Sequence, residues 1–337
     1  MSVLLTGAAG YVGSHACVEL LNQGYSIVSA DNYVNSSPVA LERVRQITGR
    51  DFPAYETDLR DEEKLRAIFR AHKIESVIHF AGLKAVGESV KKPLEYYDNN
   101  LYGSIVLLKI MREFGVKSMI FSSSATVYGA ATKMPLDEKM PLGCVNPYGW
   151  TKFAIEQLLR DLCLADPDFS AVLLRYFNPV GSHKSGLIGD NPSGIPNNLI
   201  PYVTRVAVGE LERLPVFGND YNTPDGTPLR DYIHVCDLAR GHAAAMAYAA
   251  AHKGCEAINL GTGKASSVLD VIHTFERVNG VPIPHFIAPR RAGDADESWS
   301  STEKAERLLG WKAEKGLDDM LRDAWRWQRQ NPKGYHA

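Results

Sequence analysis

Five short runs in the first half of the chain are apolar almost along their whole length, and they alternate with longer stretches of helical spacing. The runs are Val3–Thr6, Ser26–Ala30, Ser76–Phe80, Ser118–Ser122 and Ala171–Tyr176; the helical patterns fall near 12–23, 61–72, 94–114 and 148–164. A strand with one wet face alternates apolar and polar residues, whereas a strand apolar throughout is covered on both sides. Strands of the second kind, alternating with helices, imply an α/β fold with a doubly wound parallel sheet. Ligands of such sheets bind outside the carboxyl ends of the strands. Local punctuation agrees: Asp61-Glu62-Glu63 supplies an acidic first turn, and Gly115 stands where a helix should stop.

At 337 residues the chain is long for one core and suggests two domains. After about residue 178 the alternation weakens, and glycine and proline crowd the chain from Pro179 to Pro201. We read 1–178 as the sheet domain, with later returns of the chain around 231–262, and 179–337 mainly as a smaller C-terminal lobe. Loops punctuated in this way tend to carry binding residues. The net charge of −2 gives no reason to expect nucleic acid or an anionic membrane as partner. Cys17, Cys144, Cys163, Cys236 and Cys255 are scattered and never spaced as C-x-x-C, so reduced thiols and no metal are expected. The N-terminus lacks a basic, then apolar, then small-residue leader, and no stretch reaches the ~20 apolar residues of a membrane span. The expected location is the cytoplasm.

The first run ends in Thr6-Gly7-Ala8-Ala9-Gly10-Tyr11-Val12-Gly13. Glycines at this spacing permit a tight strand-to-helix turn and a close backbone approach to a pyrophosphate, which then meets the free N–H groups of the helix. Alone the spacing is weak; after a strand and before a helix it is the Rossmann context. Asp31 ends the second run, 18 positions beyond Gly13, where an acid binds the ribose diol of a dinucleotide. Its carboxylate would repel a 2′-phosphate, so NAD is expected over NADP. Asp58, after Ala54–Thr57, is placed either to meet the adenine amino group or to cap a helix.

Tyr148 and Lys152 stand four residues apart at the start of a helical pattern, hence on one face about one turn apart. A phenol is a poor base at neutral pH; a neighbouring ammonium and a positive nicotinamide ring would lower its pKa. Such pairs also occur by chance on helix surfaces, and the preceding dinucleotide motif gives this one its meaning. A third member is expected at the end of the preceding strand. Three consecutive serines there, Ser122-Ser123-Ser124, are costly in a buried strand unless each hydroxyl finds a partner. Ser124 is the choice for holding a substrate hydroxyl beside Tyr148; the other two can satisfy backbone groups.

These residues carry a resemblance. The chain resembles the extended short-chain dehydrogenases/reductases, and among them the UDP-glucose (UDP-galactose) 4-epimerases, over essentially its whole length. The most specific stretches are His79–Ser89, Leu94–Asn100, Leu174–Pro179, Gly194–Leu199 and Arg230–Val235. The resemblance implies that Phe80, Ala81, Gly82, Lys84, Asn99 and Tyr176 join Gly7, Gly10, Tyr11, Val12, Gly13, Asp31, Asn32, Asp58, Leu59 and Ser122 around NAD, Lys84 reaching a phosphate. Lys152 would bond the nicotinamide ribose. Phe177, Asn178, Asn198, Leu199, Phe217, Arg230, Arg291 and Asp294 would hold the UDP-sugar, with Ser124 and Tyr148 at its reacting carbon. The arginines make independent sense, since a guanidinium pairs with a diphosphate through two hydrogen bonds; outside such a pattern they would be ordinary surface charges.

The implied reaction is inversion at C4 of a UDP-hexose through a transient 4-keto sugar, with Tyr148 as proton acceptor and NAD as hydride acceptor. Two rivals remain. A sugar-nucleotide 4,6-dehydratase or decarboxylase shares the fold, but the Asp-Glu pair of the dehydratases is replaced by Ala125-Thr126. A catalytically silent NAD-binding protein would not need Ser124, Tyr148 and Lys152 together. One position departs from the resembling enzymes restricted to glucose and galactose: Ser298 stands where they carry tyrosine. The smaller side chain is expected to leave room for a 2-acetamido group. Finally, Leu101–Phe114 and Tyr148–Cys163 are apolar on more than one face. That suits a homodimer paired through these helices, or burial under the second lobe.

Overall fold

The computed structural model describes residues 1–131, 133–192, 194–291 and 294–335. The first half runs β1 (Ser2–Thr6), α1 (Tyr11–Asn22), β2 (Ser26–Asp31), α2 (Pro38–Thr48), β3 (Ala54–Glu56), α3 (Glu62–Ala71) and β4 (Ser76–His79). Next come the short helices α4 (Val86–Lys91) and α5 (Pro93–Tyr96), a π-helical turn at Tyr97–Tyr102, and α6 (Gly103–Glu113). β5 (Ser118–Ser122), α7 (Pro147–Ala165) and β6 (Ser170–Tyr176) complete it.

The second half holds β7 (Asn178–Val180), α8 (Leu199–Ala207), β8 (Leu214–Phe217), β9 (Leu229–His234), α9 (Val235–Ala251) and β10 (Gly254–Leu260). It ends with β11 (Ala265–Ser267), α10 (Val268–Asn279), β12 (His285–Ala288), β13 (Glu297–Ser298), α11 (Glu303–Leu309) and α12 (Leu317–Gln330).

Seven strands form one sheet in the order β10-β6-β5-β4-β1-β2-β3, every pairing parallel. Alternation along each strand divides its side chains between two apolar layers. Val3, Leu5, Ile78, Ile120, Val172 and Leu174 join the layer with α1 and α9. Leu4, Val77, Met119, Phe121, Ala171 and Leu173 join the layer with α3, α6 and α7. Both faces are dry, as the uninterrupted apolar runs require. Each fully buried Leu, Ile or Val contributes about 1.5–3 kcal/mol by removal from water. Within β6 a charged side chain interrupts this setting: Arg175 lies there at 1% exposure.

Three elements of the second half belong with this sheet. β10 pairs with β6, and α9 and α11 pack in the same apolar layer as α1. The remaining elements form a lobe with its own core, in which Val203, Val216, Tyr232, Val271, Phe275 and Leu321 meet. There β9 pairs with β7, β11 and β13, while β8 pairs with β12. The strand–helix rhythm is therefore stronger beyond residue 178 than the density of glycine and proline suggests. The stretch 94–114 is not one helix: five-residue spacing at Tyr97–Tyr102 inserts a π-helical turn between α5 and α6. Such turns concentrate at functional sites.

Candidate active site

The turn after β1 is shaped by what its glycines lack. Gly7 has φ +71°, and a Cβ there would lie 2.6 Å from the backbone nitrogen of Ala81. A Cβ at Gly13 would lie 2.3 Å from the carbonyl oxygen of Gly7. A side chain at Gly7 would force the turn away from the loop after β4, and one at Gly13 would force α1 away from the turn itself. Gly10 is the N-cap of α1; no side chain bonds the first N–H groups of that helix, and its first turn holds no acid. Unclaimed amides at the positive end of a helix dipole suit a pyrophosphate.

Asp31 ends β2 beside this turn. One carboxylate oxygen accepts from Ala9 N at 2.9 Å, and the other from Tyr33 N at 2.9 Å and Ser36 Oγ at 2.8 Å. The acid thus holds the glycine turn and the chain after β2 in register while keeping lone pairs for a diol. Asp58 accepts from Asn32 Nδ2 at 3.0 Å and from Arg60, whose guanidinium holds its carboxyl well below the usual range. It is not a helix cap: α3 is capped by Asp61, which accepts from Lys64 N at 3.1 Å. Leu59 is buried beside Gly103. These residues, with the open helix end, fit a dinucleotide carrying an unphosphorylated ribose.

Phe80 and Ala81 both donate their amides to Thr6 O at 3.0 Å, which fixes the loop after β4 against β1. Farther along, Asn100 organises the loop. Its amide accepts from Leu83 N at 2.7 Å and from Asn99 Nδ2 at 2.9 Å. It donates to Leu83 O at 2.9 Å and to Thr151 Oγ1 at 3.1 Å. Thr151 in turn donates to Tyr148 O at 2.7 Å. The π-helical turn therefore ties the Gly82 loop to the helix of Tyr148 through one buried amide. Lys84 Nζ lies 3.9 Å from Asp190 and 5.8 Å from the Tyr11 ring centroid. Tyr11 donates its hydroxyl to Gly181 O at 2.7 Å.

α7 begins at Pro147, with Asn146 as N-cap accepting from Gly149 N at 2.8 Å. This start places Tyr148 and Lys152 on the inward face, at 7% and 5% exposure. Lys152 Nζ donates to Ser122 O at 2.8 Å and lies 5.9 Å from the Tyr148 ring centroid. The Ser124 hydroxyl lies near enough to the Tyr148 phenol to favour its ionised form, and Ser122 Oγ meets the Tyr176 hydroxyl at 2.8 Å. The tyrosine, the lysine and the strand-end serine are thus brought together at the carboxyl end of β5.

The protein groups around Tyr148 do not by themselves lower its pKa. Burial pushes the phenol well above its ordinary value, and only the Ser124 hydrogen bond acts the other way. The ammonium spends its interaction on the Ser122 carbonyl. Burial also pushes Lys152 down to about 8, against the opposing charge of Glu156.

The lobe supplies the remaining candidates. Arg230 of β9 donates to Asp294 Oδ1 at 2.7 Å, and Ser298 of β13 is its register partner across the strands. Arg291 lies with its guanidinium 4.1 Å from the Phe217 ring centroid. Asn198 is the N-cap of α8, which Leu199 opens, without using its side chain on the helix. Phe177 and Asn178 follow β6; the first is buried with Val127 and Leu136, the second is exposed at the start of β7. Sequence reasoning missed Asn100, Glu156 and Arg175. Each carried a signal: a second Asn beside Asn99, an acid one turn beyond Lys152, and a charge inside an apolar strand.

Comparison with known proteins adds the following. The description "NAD dependent epimerase/dehydratase family" matches residues 3–261. The UDP-glucose 4-epimerase of Bacillus subtilis (strain 168) is 56% identical over 337 residues, covering 100% of this chain and 99% of its own length. The crystal structure of UDP-glucose 4-epimerase from Bifidobacterium longum, in complex with NAD+ and UDP, is 56% identical. It superposes with a TM-score of 0.95 and covers 99% of this chain and 100% of that one. The UDP-Glc/GlcNAc 4-epimerase of Campylobacter jejuni is 35% identical with a TM-score of 0.86, covering 98% and 99%.

Proposed function

The chain belongs to the NAD dependent epimerase/dehydratase family, and from that premise we propose a residue-level account of how it inverts C4 of UDP-hexoses. It is an NAD-dependent UDP-hexose 4-epimerase. The observation that carries the account is the meeting of Tyr148, Ser124 and Lys152 at the end of β5, one strand from the loop that packs on the glycine turn.

In this account the Gly7–Gly13 turn and the open end of α1 hold the pyrophosphate of NAD, Asp31 its adenine-side ribose, and Asp58 with Asn32 its adenine edge. Phe80, Ala81, Gly82, Asn99 and Tyr176 wall the nicotinamide half, and Lys152 bonds its ribose. Bound NAD supplies a hydride acceptor and donor and, when oxidised, a positive charge that favours the Tyr148 phenolate. Ser124 holds the sugar 4-hydroxyl, and Tyr148 takes its proton. Once C4 is a ketone, the sugar turns about its link to the diphosphate to present its other face, and the phenol gives its proton back to the C4 oxygen. Phe177, Asn178, Asn198, Leu199, Phe217, Arg230, Arg291 and Asp294 grip the nucleotide. The NAD unit comprises residues 1–178 with the returns around 231–262, and 179–337 mainly forms the sugar-nucleotide lobe.

Three finer readings go with it. Ser298 leaves room for a 2-acetamido group, so UDP-N-acetylglucosamine and UDP-N-acetylgalactosamine are substrates as well. The activity of the Campylobacter jejuni neighbour toward both sugar classes supports a fold able to hold either. A homodimer forms through α6 and α7, a reading supported by Tyr102 and Trp150, each 43% exposed, and Leu164 at 83%. The protein works in the cytoplasm; among the described residues no helix is long and apolar enough to cross a membrane. The test is formation of UDP-glucose from UDP-galactose by the purified, NAD-loaded protein, run beside the acetylated pair. Absence of conversion with every sugar overturns the account.

A further inference from the structure

The mechanism leaves one buried ion pair unused. Arg175 of β6 is 1% exposed and lies 2.6 Å from Glu156 of α7, itself at 0%. A buried pair gives no net stability over apolar residues of similar size. Its presence in a sheet otherwise dry on both faces therefore calls for a use.

Glu156 accepts from Ser123 Oγ at 2.6 Å, Arg175 Nε at 2.9 Å, Arg175 Nη2 at 2.6 Å and Arg160 Nη2 at 2.8 Å. Burial acts to raise its pKa, but Arg175, Ser123 and Arg160 outweigh burial and hold it below the ordinary value. It is a carboxylate at neutral pH. Two of its relations lead to the reacting groups. Ser123 sits between Ser122, whose carbonyl takes Lys152 Nζ, and Ser124, whose hydroxyl meets Tyr148. Lys152 precedes Glu156 by one turn on the same face of α7.

Among the described residues, other elements bring no second anion to Lys152 and Tyr148. β5 presents the Phe121 ring, 4.8 Å from Lys152 Nζ. β4 presents His79, which burial pushes down to about 3 and so keeps neutral. β6 and α5 present Tyr176 and Tyr96, phenols that burial pushes up. We propose that Glu156 is a positioning residue for the epimerisation, fixing the serine run through Ser123 and keeping the Lys152 ammonium protonated through its charge. The proposal rests on the roles assigned above to Tyr148, Ser124 and Lys152.

The test compares NAD-loaded wild type, Glu156→Gln, the double variant Glu156→Gln/Arg175→Met and Ser123→Ala. Activity is followed across about pH 6 to 10, with thermal unfolding to report the fold. Loss of the carboxylate charge favours neutral Lys152, so the alkaline limb of kcat/KM moves to lower pH by about one unit in both Gln variants. The double variant keeps no unpaired buried arginine, which protects its fold. Ser123→Ala retains every charge: its limb stays in place, while kcat falls about three- to tenfold at unchanged KM. A folded Gln variant with the wild-type limb overturns the proposal. If neither Gln variant folds, wild-type kcat in Ser123→Ala overturns it. Inactive wild type would sink the epimerase account itself, a separate outcome.

Discussion

The two ligand-facing halves of the molecule are built from different materials. On the sheet side, the turn after β1 is defined by backbone: a Cβ at Gly7 or Gly13 would meet backbone atoms at 2.6 and 2.3 Å, and Asp31 is spent largely on holding that turn. On the lobe side, contacts are between side chains far apart in sequence, such as Arg230 with Asp294 and Arg291 with Phe217. A backbone cradle admits one shape and tolerates little substitution. A cluster of partly exposed guanidinium groups and loop residues can be re-cut one side chain at a time. The comparison therefore places cofactor choice in a rigid half and sugar choice in an adjustable one.

The sharpest break is at the boundary between the halves. Tyr148→Phe removes the one atom assigned above to proton exchange with the sugar and leaves the α7 backbone and the lobe intact. Turnover should fall by about 10²–10⁴-fold, while UDP binding measured by calorimetry stays within about twofold. A comparable loss of UDP affinity would show that the halves are not separable.

Acid should strike the sheet half first. His15 of α1 and His79 of β4 are pushed by burial down to about 3, and His242 of α9 to about 4. In the unfolded chain each takes a proton near pH 6.5. Between about pH 6.5 and 4 the unfolded chain binds more protons than the folded one, so stability rises with pH through that window and is lost as pH falls. The upper bound is about 2 kcal/mol for each histidine at pH 5. Urea midpoints at pH 7.5 and 5 measure the sum. A flat response would mean that these rings find partners for their protons in the folded state. Hydrogen exchange resolves the order of opening: amides of β1 and β4 should lose protection before those of α10 and α12.

The same contrast explains what could be read in the chain beforehand. The glycine turn, Asp31 and the Tyr148–Lys152 pair are local patterns, each fixed by spacing along one strand or helix. Five of the seven strands of the sheet coincide with the five apolar runs. What escaped reading depends on partners distant in sequence. Asn100 matters because it bonds both Leu83 and Thr151. Arg175 matters because Glu156, 19 positions earlier, lies beside it across the α7–β6 packing. Lys84 finds Asp190 for the same reason. Spacing likewise gives the adjacency of Tyr148 to an ammonium but not the burial of the phenol or the carbonyl that takes the ammonium's hydrogen bond. Sequence motifs specify which groups meet more readily than how their environment tunes them.

The smallest effect should come from the adjustable half, at Ser298. This residue lies on β13 in register with Arg230, so whatever occupies it borders the side chain assigned to the diphosphate. A serine takes little volume there. Ser298→Tyr adds an aromatic ring of the size that would fill the space of an acetamido group, while leaving the β9–β13 backbone bonds as they are. Relative to wild type, kcat/KM for the acetylated UDP-hexoses should drop about tenfold or more, the cost of a steric clash. The values for UDP-glucose and UDP-galactose should stay within about threefold. Because no group on the sheet side changes, NAD occupancy and the alkaline limb should not move. Equal losses for both sugar classes would mean that the ring disturbs Arg230 and not the sugar. Unchanged acetamido activity would mean that Ser298 has no steric part, and sugar choice would then have to be sought among Phe177, Asn178 and the Asn198–Leu199 turn.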